Sequence, residues 1–166
     1  TGDTSWLAPR YEALRSKLLL ERAGPDGLIT STPEQIRRGD IVDWPPGERD
    51  GYVFTSVNTV VNAFHLSALT RMAELAEALD RDREAAGYRD RARSTRKVFQ
   101  ERLFDPQRGL YVDGVGTDHA SLHANVFPLA FGLVPEDRRS SVVRHIVSKG
   151  MACSVYVAQY LMEALL

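Results

Sequence analysis

Cysteine is all but absent from this chain: Cys153 stands alone among 166 residues, so no internal disulfide can staple the fold. It sits in the apolar run Met151-Ala152-Cys153-Ser154-Val155-Tyr156 with no catalytic motif beside it, and a buried thiol acting as a small hydrophobe is the reading. Charge of one sign is missing as well. Lys and Arg number 21 against 22 Asp and Glu, a formal net of -1 mixed along the chain, which leaves no basic stripe for a phosphate backbone and argues against a nucleic-acid partner. No apolar run approaches the roughly 20 residues that span a bilayer, and no charged-then-apolar leader opens the chain. No membrane partner is therefore expected, and a soluble compartment is, the cytoplasm ahead of the exterior. Nucleophile elbow, phosphate-binding glycine loop and dinucleotide fingerprint are also absent, which sets those reaction classes aside and leaves no cofactor expected.

What is present is 43% hydrophobic and 26% charged residues, in a length suited to one globular domain with a sizeable core. Leu14, Leu18 and Leu19 recur at helical spacing over Pro9 to Arg22, predicting a first helix closed by Gly24-Pro25-Asp26-Gly27. Leu28 to Gly51 is broken by Pro33, Gly39, Pro45, Pro46 and Gly47 and reads as a long ordered loop or a short strand pair, a kind of segment that is usually functional. Ser56 is the candidate cap of an apolar helix from about Val57 to Leu79, and a highly charged helix comes next, from about Arg83 to Leu103. The short link Asp80-Arg81-Asp82 makes those two an antiparallel hairpin. After a turn at Pro106 and Gly109 with a brief extended stretch at Leu110 to Val112, an apolar helix spans Leu122 to Phe131. A charged one spans Glu136 to Ser148, and the apolar text resumes from Met151 to Leu166. A helix apolar on most sides must be wrapped by others, whereas a one-striped helix can face water, so the order inner, outer, inner, outer, inner predicts concentric layers of helical hairpins. No fixed period of about 34 residues marks a tetratricopeptide array, and an α-solenoid is the second choice.

Asp43-Trp44-Pro45-Pro46-Gly47-Glu48-Arg49-Asp50-Gly51-Tyr52 gathers carboxylates, a guanidinium and two aromatics in a loop that leads into an apolar helix. These are the groups that hold sugars: an indole gives a platform for the C–H face of a pyranose, and carboxylate and Arg serve its hydroxyls. On composition alone the alternative stays open that Trp44 plugs the core and Glu48, Arg49 and Asp50 form a surface turn. His119 and His123 lie four apart, but no zincin Glu accompanies them and no metal site is expected. His123 and Asn125 stand at the start of an inner helix, where either a ligand hydroxyl or the helical core satisfies them. His65 reads as a hydrogen-bonded core histidine and His145 as exposed.

Asp40-Ile41-Val42-Asp43-Trp44-Pro45-Pro46-Gly47-Glu48-Arg49-Asp50-Gly51-Tyr52, with Val61-Asn62-Ala63-Phe64 after it, resembles bacterial α-L-rhamnosidases of glycoside hydrolase family 78. Asp105-Pro106-Gln107-Arg108-Gly109-Leu110-Tyr111 is similar to the turn joining successive hairpins of that family's catalytic domain. Ser121 to Pro135 and Gly150 to Tyr160 are similar to two of its inner helices. The resemblance implies an all-α fold, helical hairpins forming part of an (α/α)6 barrel with a few short extended segments in loops, and hydrolysis with inversion by two carboxyl groups on opposite faces of the sugar. It places the acid before this segment, in an acidic stretch followed by Trp and Asp, and the base after it, in a Glu-Ala-Trp type helix. Neither stretch is in this chain, so no catalytic residue is assigned and the chain alone is expected to be inactive.

What remains is part of a sugar-binding wall for a rhamnoside, with Trp44 as platform, Asp43, Glu48 and Arg49 as hydroxyl partners, and His123, Asn125 and Tyr156 as further contacts. Thr1 is no initiator Met and the last helix stops on apolar residues, so residues 1–166 are read as a partial catalytic domain truncated at both ends. The apolar faces at Val57 to Leu79 and Met151 to Leu166 are then expected to lack neighbours and to drive self-association. Rival readings are another six-hairpin glycosidase or a polysaccharide lyase, and a non-enzymatic helical-repeat scaffold.

Overall fold

The computed structural model describes residues 4–166. Among the described residues seven α-helices carry the fold: α1 (Tyr11–Arg15), α2 (Pro33–Arg37), α3 (Thr59–Glu77), α4 (Asp82–Leu103), α5 (Leu122–Ala130), α6 (Glu136–Lys149) and α7 (Val155–Leu165). The two-residue strands β1 (Phe104–Asp105) and β2 (Leu110–Tyr111) pair antiparallel in the turn after α4, with Phe104 opposite Tyr111.

The helices sort into two layers according to composition. Every residue of α5 from Leu122 to Leu129 is buried, and α3 buries Val60, Val61, Ala63, Leu66, Leu69 and Met72. The charged α4 buries only Ala85, Tyr88, Thr95, Phe99 and Leu103, and α6 only Val142 and Ile146. α3 packs on both α4 and α5, and α5 on both α6 and α7, so α3, α5 and α7 form a row backed by α4 and α6. Phe64 of α3 meets Phe127 and Phe131 with ring centroids 4.9 Å apart, and Tyr160 of α7 closes on Phe127 at 5.0 Å. One aromatic cluster thus ties the three inner helices together.

Each inner helix begins with a side-chain cap: Asn58 accepts from the Val61 N–H, Ser121 from Ala124 and Ser154 from Tyr156. Asn58, and not Ser56, caps α3, because the helix begins at Thr59 and the Asn58 side chain is the one in place to accept the Val61 N–H. Four residues beyond the first two caps stands a buried asparagine that works as a clamp. Asn62 accepts the Ile29 N–H at 2.7 Å and donates to the Ile29 carbonyl at 3.1 Å. Asn125 treats Tyr111 in the same way, at 3.0 Å for both bonds, and also donates to the Ser121 carbonyl at 2.9 Å. Gly114 bridges to Asn58 beside the α3 cap, and a Cβ on Gly114 would lie 2.7 Å from the Val57 carbonyl oxygen, so the approach requires glycine.

Several local expectations are corrected. Pro9 to Arg22 is not one helix: α1 is flanked by 3-10 turns at Ala8–Arg10, Ser16–Leu18 and Leu20–Arg22, and Leu19 turns left-handed at φ 57°. The Leu18 carbonyl accepts from buried His65 Nδ1 at 2.9 Å instead of continuing a helix. Of the two readings of Leu28 to Gly51 the long ordered loop holds and the strand pair does not: among the described residues it has only a bridge from Ala23 to Ile29, α2 with its Thr32/Gln35 capping box, and a 3-10 turn at Pro46–Glu48. α7 starts at Val155, since Gly150 ends α6 at φ 59° and Ser154 caps the first turn of α7. His145 is half-buried with Nε2 on the Ala120 carbonyl at 3.0 Å, not exposed. The apolar side of α3 is covered. α7 instead buries one stripe, Val157, Leu161 and Ala164, and leaves Val155, Met162 and Leu166 at 92%, 60% and 96% exposure.

Candidate functional site

After α2 the chain turns through Gly39 and Asp40, both with left-handed backbone, and delivers Asp43 and Trp44 to the starts of α5 and α7. Val42, fully buried, anchors the segment in the core. The Asp43 side chain is enclosed as well, with no exposed surface. Its Oδ1 accepts the Trp44 backbone N–H at 2.7 Å and the Ser154 hydroxyl; its Oδ2 accepts the Ser154 N–H at 2.9 Å and His123 Nε2–H at 2.8 Å. Burial pushes this carboxyl up, but the donors from His123, Ser154 and Trp44 together hold it below the usual carboxylate range. His123 is pushed down by burial against the pull of Asp43. A neutral ring with its proton on Nε2 fits this, and its Nδ1 has no partner among the described residues.

Next to this fixed carboxylate the indole of Trp44 is 75% exposed. With Arg38, Asp40, Ile41, Asp43, Arg49 and Tyr156 it lines an open hollow of about 320 Å³. Arg49 donates from Nε to the Asp43 carbonyl at 2.9 Å, and its guanidinium lies over Phe54 at 5.4 Å. A Cβ on Gly39 would collide with the Arg49 terminal nitrogens, so the guanidinium is seated against bare backbone. Asp40 Oδ2 accepts from the Ser31 hydroxyl at 2.5 Å and the Asn58 amide at 3.2 Å. Burial, with Tyr160 nearby, lifts the Tyr156 phenol to about 12, which keeps it a neutral donor. A larger cleft of about 730 Å³ lies between the Gly24 to Gly27 turn and α4, but no aromatic lines it. The hollow at Trp44 joins an exposed aromatic face to neighbouring donors and acceptors.

Of the residues singled out from sequence, Asp43, Trp44, Arg49 and Tyr156 line this hollow, and the exposure of Trp44 excludes its reading as a core plug. Asp43 borders it with both oxygens committed, and His123 supports Asp43 from a wholly buried position. Asn125 is occupied by its clamp on Tyr111, and Glu48 stands exposed on the Pro46–Glu48 turn outside the hollow's lining. His119 precedes α5 and bonds Asp113 at 2.6 Å while His123 turns to Asp43, so the two rings do not converge. Arg38, Asp40, Ile41 and Ser154 escape a reading from sequence. Only Ser154, a capping residue type just before an apolar helix, carries a recognisable signal.

The family described as the bacterial alpha-L-rhamnosidase 6 hairpin glycosidase domain matches residues 1–165. No curated protein matches the chain. Among solved structures, a family 78 rhamnosidase of Bacillus sp. GL1 is similar over 99% of this chain and 18% of its own, at 22% identity and TM-score 0.78. A rhamnosidase from Klebsiella oxytoca with rhamnose bound is similar over 98% of this chain and 30% of its own, at 18% identity and TM-score 0.79. An alpha-L-rhamnosidase from Dictyoglumus thermophilum is similar over 99% and 18%, at 18% identity and TM-score 0.73. The shared property at these identities is the fold, and the chain spans less than a third of each of those chains.

Proposed function

The chain belongs to the bacterial alpha-L-rhamnosidase six-hairpin glycosidase domain family, and from that premise we propose that it forms part of the sugar-binding wall of an inverting α-L-rhamnosidase. In this reading residues 1–166 are a portion of the (α/α)6 catalytic domain, and terminal α-L-rhamnose lies in the hollow against Trp44. The observation that carries the proposal is the exposed indole at the rim of a hollow bordered by Arg38, Asp40, Arg49 and Tyr156. Trp44 and Ile41 take the apolar face of the ring, Arg49 and Tyr156 donate to hydroxyls, and Asp40 accepts. Asp43 acts by holding its neighbours in place, because its four hydrogen bonds leave it none for a sugar. In this reading neither Asp43, taken up by four hydrogen bonds, nor Asp40, held through Oδ2 by Ser31 and Asn58, is assigned as the acid or base of an inverting pair, and the chain alone is expected not to hydrolyse rhamnosides.

Titrating the chain with methyl α-L-rhamnoside, monitored by ligand-observed NMR, tests the proposal. Trp44→Ala is expected to weaken binding by about 2 kcal/mol, some thirtyfold, through loss of the aromatic platform. Equal affinity in the variant removes the platform, and preference for another sugar in a panel of glycosides moves the assignment to a different six-hairpin enzyme. The bare stripe Val155, Met162 and Leu166 is the surface we assign to self-association. Light scattering is expected to show concentration-dependent oligomers that Met162→Lys disperses; a monomer across the micromolar range counts against it.

A further inference from the structure

Ser154 caps α7, and its contacts also join the two aromatic walls of the hollow. Its hydroxyl accepts the Tyr156 N–H at 3.2 Å and donates to Asp43 Oδ1, the same oxygen that accepts the Trp44 N–H at 2.7 Å. The Ser154 N–H adds a second bond to Asp43, at 2.9 Å on Oδ2, beside His123 Nε2 from α5. An unbroken run of bonds therefore passes from the backbone of Tyr156 through one hydroxyl and one carboxylate to the backbone of Trp44. The segment carrying Trp44 comes from before α3, and Tyr156 lies in the first turn of α7. They are remote in sequence, and the carboxylate is where they meet. Bonds to an ionised acceptor are short and directional, so this junction sets distance as well as contact.

We propose that Ser154 is a positioning residue of the sugar site: through Asp43 it fixes the separation and orientation of the Trp44 indole and the Tyr156 ring. The purpose assigned to that spacing rests on the rhamnoside-binding reading, but the mechanical link does not. A serine hydroxyl is suited to the place because it donates to one neighbour while accepting from the other. Alanine ends both bonds. Glycine keeps the capping conformation at little cost but gives Asp43 no hydroxyl, and threonine preserves the hydroxyl.

The test uses the chain with Trp6→Phe, which leaves Trp44 as its one indole. Time-resolved fluorescence anisotropy is expected to show Trp44 turning with the whole molecule in this parent and in Ser154→Thr. Ser154→Ala and Ser154→Gly should each add a fast local component. A residue that only caps α7 would lower the melting temperature of the alanine variant and leave the indole decay unchanged. An unchanged decay in both the alanine and glycine variants overturns the proposal, and the glycine variant decides alone if alanine prevents folding. In the same samples Ser154→Ala is expected to bind methyl α-L-rhamnoside roughly tenfold more weakly, the size of one lost charge-assisted bond. Failure of the parent to bind the rhamnoside counts against the sugar reading, and the anisotropy result still decides the positioning role.

Discussion

Asn125→Ala is expected to lower the unfolding free energy by about 3–5 kcal/mol, because it strands buried backbone groups that have no water to turn to. The asparagine amide is the partner of both the N–H and the carbonyl of Tyr111, a residue with no exposed surface. Truncation leaves those groups unpaired and opens a void between α5 and β2. The urea midpoint should fall with the slope unchanged, and Asn62→Ala should behave in the same way through Ile29. A sugar ligand at this position would show the opposite pattern, with stability kept and rhamnoside affinity lost. A loss under about 1 kcal/mol would remove the clamp from the account of stability.

Acidification should produce an effect of similar size through His65. Burial carries this imidazole down from 6.5 to about 4, with the Leu18 carbonyl opposing the fall and Arg91 adding to it. Between those values the unfolded chain binds a proton that the folded chain does not, so stability rises with pH across the window. The contribution is intact above 6.5 and is lost as pH falls toward 4, by about 3 kcal/mol in all. Denaturation midpoints taken from pH 7 to 4.5 should fall more steeply for the native chain than for His65→Asn, which does not titrate. Parallel profiles would mean that His65 is not the sensor. The break should begin at Leu18 and Leu19, where the kink is held by the bond to His65.

The layers are legible in the sequence because burial on all sides and burial on one stripe leave different compositions, and α3 to α6 appear where those compositions change. The N-terminal segment is not, because its outcome depends on a distant partner. Leucine spacing favours a helix through Leu19, but the Leu18 carbonyl is taken by a histidine 47 positions later. The site divides along the same line. Trp44 is legible because an indole among Pro, Gly and charged residues has few roles. Asn125 invites a ligand-binding role because it is a polar residue on an apolar helix, and its partner, the backbone of Tyr111, leaves no mark in composition. Asp43 points to sugar hydroxyls for want of any sign that Ser154, 111 residues away, would occupy it.

The paired amide clamps also bear on how this architecture tolerates change in length. In each, the cap and the asparagine are separated by one helical turn, and both reach one neighbouring segment, Ile29 to Ser31 in the first and Tyr111 to Asp113 in the second. A residue added between Asn58 and Asn62, or between Ser121 and Asn125, rotates the amide by about 100° and aims it into the core. One added at the Asp82 end of α4 adjoins neither clamped segment. Insertions should therefore be tolerated better at the link before α4 than at the entries to the inner helices, which keep a constant length.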